Sequence, residues 1–169
     1  RPRVVALGQA GVDFVASDGS TRIRAASRFT KAAGGTPANV AVGLARLGVP
    51  VAFVAKLADD ELGAYLVDTL TSYGVDVRGV VLERGATTTV GFSAPESQPI
   101  VLGCDGPENR LRWCEVDRFL LTACRVFHFS CLTLRAEPAR TTTWRALALA
   151  RRNGALVSFD PNFRPTLWS

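Results

Sequence analysis

Apolar and polar positions along the chain fall into short blocks that switch repeatedly between two periodicities. RVVALG (3 to 8) is a brief apolar run closed by Gly, as expected of a buried strand. TPANVAVGLARLG (36 to 48) has helical spacing: Thr36 is placed as N-cap, Pro37 at the first helical position, Val40, Leu44 and Leu47 as the apolar stripe, and Gly48 as the stop. VPVAFVAKL (49 to 57) reads as a buried strand, DDELGAYLVDTLTSYG (59 to 74) as a helix with acids in its first turn, and VDVRGVVL as an alternating strand. Further on, EVDRFLLTA (115 to 123) predicts a short helix, CRVFHFSCL (124 to 132) a strand, AEPARTTTWRALALARRNG (136 to 154) a helix and ALVSFD (155 to 160) another strand. Strand and helix alternate through short links, so the fold class is α/β with a largely parallel sheet.

Two stretches break the alternation. Residues 13–33 and 86–113 are β-branched and punctuated by Gly and Pro, like hairpin strands inserted between sheet elements. Together they predict a small second sheet, placed either as a lid over the ligand loops or as plain surface hairpins. In parallel sheets ligands gather at the carboxyl ends of strands, which directs attention to Gly8–Asp13, Lys56–Asp60 and Asp160–Trp168.

Composition narrows the picture. At 169 residues, 47% hydrophobic and 21% charged, the chain suits one globular domain, and its 15 Gly and 9 Pro carry no repeat. Apolar runs stop well short of the roughly 20 residues that a bilayer span requires, and the first residues fit a core strand rather than a signal peptide. The net charge of +5 comes almost wholly from scattered Arg, which argues for solvated faces and against a nucleic-acid stripe while leaving small anionic ligands open. Cys104, Cys114, Cys124 and Cys131 lack metal spacing and have only His128 to join them, so no metal site is expected. Cys124, Cys131 and His128 read as core residues in a reducing, cytoplasmic protein. The chain contains no Met, so it is expected to be part of a longer product.

Candidate chemistry concentrates at Gly34-Gly35-Thr36-Pro37-Ala38-Asn39, where two glycines admit a close backbone approach and a helix start points free N–H groups at one spot. From the residues alone, a ligand cradle and a simple capped turn both stand. A P-loop is excluded, and Gly8-Gln9-Ala10-Gly11 is not a dinucleotide fingerprint.

KAAGGTPANVAVGLARLG (31 to 48) resembles the first signature of the PfkB-type, ribokinase-like carbohydrate kinases. VVALGQAGVDFV (4 to 15), KLADDELGAYL (56 to 66) and SFDPNFRPTLW (158 to 168) resemble, in order, that family's opening strand and sugar-binding Asp, its Gly-Asp-Asp turn, and the Asp-Pro-Asn-x-Arg segment of its fructokinase and ketodeoxygluconate kinase branches. The resemblance implies a ribokinase-like three-layer domain with a β-sheet lid, of which residues 1–169 are the amino-terminal part and the carboxy-terminal half is absent. It implies transfer of the ATP γ-phosphoryl group, with Mg, to a hydroxyl of fructose or a related keto-sugar. Asp13 would accept hydrogen bonds from sugar hydroxyls, Gly34 and Gly35 would form the lid hinge, and Asn39 would hold another hydroxyl. Glu137 would stand near sugar and lid or serve only the helix dipole; Arg164 would face an anionic group or bridge to Asp160. In relatives the catalytic Asp, anion hole and magnesium-linked segment lie downstream, so no catalytic residue is expected here and the 169 residues alone are expected to be inactive. Lid strands often pair between subunits, giving an expected homodimer.

Gln9, Ala58 and IVLGCDGPENR (100 to 110) depart from the family pattern, which has Glu, Gly and an aromatic-Arg pair at those places. These departures keep a noncatalytic sugar-binding homologue in view, alongside a nucleoside or ketodeoxygluconate kinase.

Overall fold

A computed structural model describes residues 2–163 and Trp168. Five parallel strands form the central sheet: β1 (Val4–Leu7), β4 (Val51–Ala58), β5 (Asp76–Glu83), β8 (Val126–Ser130) and β9 (Leu156–Asp160), in the order β5-β4-β1-β8-β9. Helices α1 (Thr36–Arg46) and α2 (Glu61–Ser72) cover one face, and α3 (Arg118–Ala123) and α4 (Ala139–Arg152) the other. Alternation along β1 makes both faces apolar: Val5 and Leu7 join Leu120, Leu121, Phe127 and Ala146 in one core, while Val4 and Ala6 join Ala41, Phe53, Leu66 and Leu70 in the other. All eight residues of β4 are buried, which is why its sequence is a continuous apolar run broken only by Lys56. Chain order runs outward from β1 to β5 on one side and from β8 to β9 on the other, so the sheet reverses direction at β1. Such a reversal opens a crevice at the carboxyl ends of the two diverging strands.

Over that crevice lies a second sheet of β2 (Gly11–Ala16), β3 (Phe29–Gly34), β6 (Val90–Ser93) and β7 (Ile100–Leu102), in the order β3-β2-β6-β7. β2 is antiparallel to β3 and parallel to β6, and β7 returns antiparallel to β6. Phe14 stacks on Phe92 and meets Phe29 through it, giving this thin sheet an aromatic face. The Asp18 carboxylate gathers the turn between β2 and β3 by accepting from the Ser20, Ser27 and Arg28 amides.

Three expectations need correction. Gly35, not Thr36, occupies the N-cap of α1: its φ of 106° suits glycine, and the Asn39 amide donates to its carbonyl at 2.8 Å. The fully buried residues of α1 are Pro37, Ala38 and Ala41; of the expected stripe Leu44 packs partly buried against the core, whereas Leu47 is 80% exposed. Small residues win because α1 lies tight on the sheet, where a methyl group at Gly8 would run into Pro37. Lastly, only β6 and β7 of the 86–113 stretch belong to the lid. Residues 107–110 fold back as a 3-10 turn, Leu111 enters the core beneath α4, and Thr142 donates its hydroxyl to the Leu111 carbonyl at 2.8 Å. Lys56, nearly buried at the end of β4, holds this return segment through Glu115 at 2.8 Å. Burial works against the Glu115 charge, but hydrogen bonds from Lys56 and Arg112 outweigh it and hold its pKa down at about 2.

Candidate functional site

The crevice is built from the ends of strands. Gly8 and Gln9 follow β1, the Gly34-Gly35 pair joins β3 to α1, Cys131–Leu134 form a 3-10 turn after β8, and Asp160-Pro161-Asn162 follow β9. Asn162 pulls the last of these inward, its side-chain amide donating to the Thr36 hydroxyl and its backbone amide to the Asp160 carboxylate.

Asp13 is the central acid. In register, β2 sets it beside Ala32 of β3 and Gly91 of β6. A Cβ at Gly91 would lie 2.7 Å from the Asp13 carboxylate, and one at Gly34 would collide with it. Glycine on both flanks therefore leaves the carboxylate room to stand upright on the crevice face of the lid. It makes no hydrogen bond to a described residue, and partial burial pushes its pKa up. A carboxylate held this way is an acceptor awaiting a donor. Gly35 brings backbone equally close: a Cβ there would stand 2.5 Å from the Gln9 carbonyl oxygen.

Of the residues singled out from sequence, Asp13, Gly34 and Gly35 come together here. Asn39 stands one turn along α1 and borders a cavity of about 330 Å³ between β3, α1 and α2, whose wall includes Lys31, Val42, Tyr65 and Tyr73. Glu137 is exposed at the start of α4, where its carboxylate accepts from the Thr141 amide at 3.1 Å with Arg140 3.7 Å away. Arg164 lies outside the described residues. His128 is buried with Nδ1 3.0 Å from the Ser158 hydroxyl, and Cys124 and Cys131 are buried, as their apolar surroundings predicted.

The sequence reading missed Gly91, Thr89, Glu108 and Arg135. Gly91 was legible only through its register opposite Asp13, and Glu108 sat in a Gly/Pro-rich string that looked like solvated loop. Asp60 was legible as a helix start, but it does more: it accepts from the Gly63 amide at 2.7 Å and from both the amide and hydroxyl of Thr88, at 2.9 and 2.6 Å. That carboxylate ties α2 to the root of β6.

A model of the pfkB family carbohydrate kinases matches residues 1–169. The chain belongs to that family. Fructokinase-1 of Oryza sativa subsp. japonica is 39% identical over 98% of the chain and 52% of its own length, and Fructokinase-1 of Zea mays 38% identical over 99% and 53%. The chain thus spans about half the length of these relatives. Among solved structures, a fructokinase with bound ATP from Xylella fastidiosa superposes with a TM-score of 0.90 at 30% identity, covering 100% of this chain and 55% of that one. The fructokinase of Halothermothrix orenii gives 0.87 at 33% identity, over 98% and 59%. The fold is ribokinase-like, as the motif order implied.

No helix among the described residues is long and apolar enough to cross a membrane. Nor does any group of three or more His, Cys, Asp or Glu among them form a metal site.

Proposed function

We propose that the full-length protein transfers the γ-phosphoryl group of ATP to a hydroxyl of fructose or a related keto-sugar. One observation carries the sugar half of this reading: a carboxylate with no hydrogen-bond partner among the described residues, Asp13, held between two glycines over a crevice at the reversal point of the sheet. A neutral polyol is a set of hydroxyls that donate and accept, and a fixed carboxylate orients such a ligand by taking its protons into hydrogen bonds. Gly34 and Gly35 would let the lid settle onto the sugar, and Asn39 would hold a further hydroxyl. Glu137 would stand near the sugar and lid, and Arg164 would face an anionic group of substrate or nucleotide. ATP is supported by the nucleotide bound to the Xylella fastidiosa fructokinase. The described residues supply no ligand set for Mg, so Mg would come with the nucleotide phosphates, and no step is assigned to it here. The base that takes the hydroxyl proton would belong to the half of the fold these residues do not span, which makes residues 1–169 a sugar-orienting half that is inactive alone. Cys124 and Cys131, buried in the core, support a reducing, cytoplasmic setting. Lid pairing into a homodimer is supported by the exposed apolar edge of Ile100, Val101 and Leu102.

A coupled ADP-release assay on the full-length protein with Mg-ATP and a panel of ketoses, aldoses, sugar acids and nucleosides tests the activity. Turnover of a ketose is the expected result; no turnover across the panel overturns the reading. Light scattering on the same protein at micromolar concentration checks the dimer.

A further inference from the structure

Asp13 is not the only acid on the crevice face of the lid. Val101 of β7 pairs with Gly91 of β6, which pairs with Asp13 of β2, and residues so paired share one face. On that face, beyond Val101, lies a small cavity of about 40 Å³ bordered by Gln9, Thr89, Glu108, Leu132 and Arg135. That space is enough for a few water-sized groups, so it has room for a hydroxyl or hydroxymethyl arm.

Glu108 is only 9% exposed, and burial pushes its pKa up. Its Oε1 lies 2.9 Å from the Thr89 hydroxyl, but the same hydroxyl lies 2.8 Å from the Gly103 carbonyl oxygen. One hydroxyl hydrogen cannot serve two acceptors. Whenever it turns to Gly103, the buried carboxylate keeps only its own backbone amide as a donor and has acceptor capacity to spare. The nearby cations hydrogen-bond to other groups, Arg110 to Glu83 at 2.9 Å, and Arg135 to the Cys104 carbonyl and Asp105 at 2.5 and 2.6 Å, and act on the Glu108 charge only through space. Among the described residues none forms an ion pair with Glu108 within 4.0 Å.

We infer that Glu108 is a specificity-determining residue of the sugar site: its carboxylate accepts a hydroxyl from the arm of the sugar remote from Asp13 and repels a sugar that carries a carboxylate on that arm. The inference rests on the sugar-kinase reading above and sharpens it toward neutral ketoses over sugar acids. Chemically the two classes differ at one terminus, CH₂OH against COO⁻. A buried, underserved acceptor favours the first and opposes the second.

The test compares full-length wild type with Glu108→Gln, using fructose and 2-keto-3-deoxygluconate as probes, by steady-state kinetics with Mg-ATP and by calorimetric binding. Gln keeps the shape and an acceptor oxygen but removes the charge. The expected result is a roughly tenfold rise in KM for fructose with kcat held, and a rise of at least tenfold in the ratio of kcat/KM for the sugar acid over that for fructose. A folded Glu108→Gln protein with both quantities unchanged overturns the inference, as does a wild type that prefers the sugar acid. Should Glu108→Gln not fold, Glu108→Asp decides: withdrawing the charge by one methylene should raise the fructose KM while leaving the sugar acid excluded, and an unchanged KM refutes the role. A wild type that neither binds nor phosphorylates any sugar refutes the kinase reading and this inference together; ketose turnover with indifferent variants refutes this inference alone.

Discussion

A methyl group is enough to test how Asp13 is held. Gly91→Ala puts a Cβ 2.7 Å from the carboxylate, and since the neighbouring β2 backbone is fixed by its ladder, the carboxylate must turn away. If Asp13 plays the proposed role, losing a hydrogen bond to a charged acceptor costs about 1.5–3 kcal/mol, which corresponds to roughly a 10–150-fold drop in kcat/KM for the sugar in the full-length protein. Gly91→Ala should approach Asp13→Asn in this respect while melting within a few degrees of wild type; full activity in Gly91→Ala would show that the carboxylate is not held by its glycine flanks. A second residue-scale expectation concerns His128. Burial pushes its pKa below the ordinary value, the Asp160 charge opposing only partly, and Nε2 has no partner among the described residues. The folded protein therefore keeps His128 neutral where the unfolded chain takes up a proton, near pH 6.5. Stability is fully present above that pH and declines as pH falls below it. Thermal melts from pH 7.5 to 5 should show this slope in wild type and a flatter one in His128→Gln. At this scale Gly34 and Gly35 could be read from local backbone demands, and Asp13 from the resemblance of its strand to the family's sugar-binding segment. Glu108 could not, because what buries it is Thr89 and the turn after β8, both distant in sequence.

Between elements, Asp60 joins what the chain separates. It caps α2 and also satisfies the amide and hydroxyl of Thr88, a residue only 3% exposed at the root of the lid. The many hydrogen bonds it accepts hold its pKa down although burial opposes them. Asp60→Ala removes a cap worth about 1 kcal/mol and strands buried polar groups at about 1–3 kcal/mol, so a loss of about 2–4 kcal/mol is expected in chemical denaturation. Asp60→Asn keeps a cap and one acceptor and should lose less than half of that. Equal losses would mean that the charge, not the bonding pattern, holds the lid root. Most elements were legible in the alternation of periods: β4 is an apolar run because both faces are covered, and α2 carries its own cap and stop. The segment 103–113 was not. Its Gly, Pro and charged residues look like the tip of a hairpin, and only the burial of Leu111 and the Lys56–Glu115 and Arg110–Glu83 pairs show that it returns to the central sheet.

Across the whole molecule, the two sheets leave different edges open. The central sheet ends at β9, where Leu156 is 72% exposed and Val157, Phe159 and nearby Phe163 are also open; the lid ends at β7, with Ile100, Val101 and Leu102. Fully burying a large aliphatic or aromatic side chain is worth about 1.5–3 kcal/mol, whereas an exposed ion pair is worth about 0–1 kcal/mol, so these edges and not the scattered arginines decide how the 169-residue chain associates. β9 is the stronger driver, for it is longer than β7 and carries Val157 and Phe159 on one face and the exposed Leu156 beside Ser158 and Asp160 on the other. Produced by itself, residues 1–169 should therefore self-associate through β9. Leu156→Lys with Val157→Lys puts a charge on each face of that strand and should return the chain to a monomer in light scattering at tens of micromolar, while Ile100→Lys in the lid should leave its association unchanged. The opposite pattern, monomer from the lid variant alone, would make the lid the dominant contact even with β9 open. In the full-length protein the ranking should invert: if β9 is covered there, Ile100→Lys becomes the variant that alters the oligomeric state.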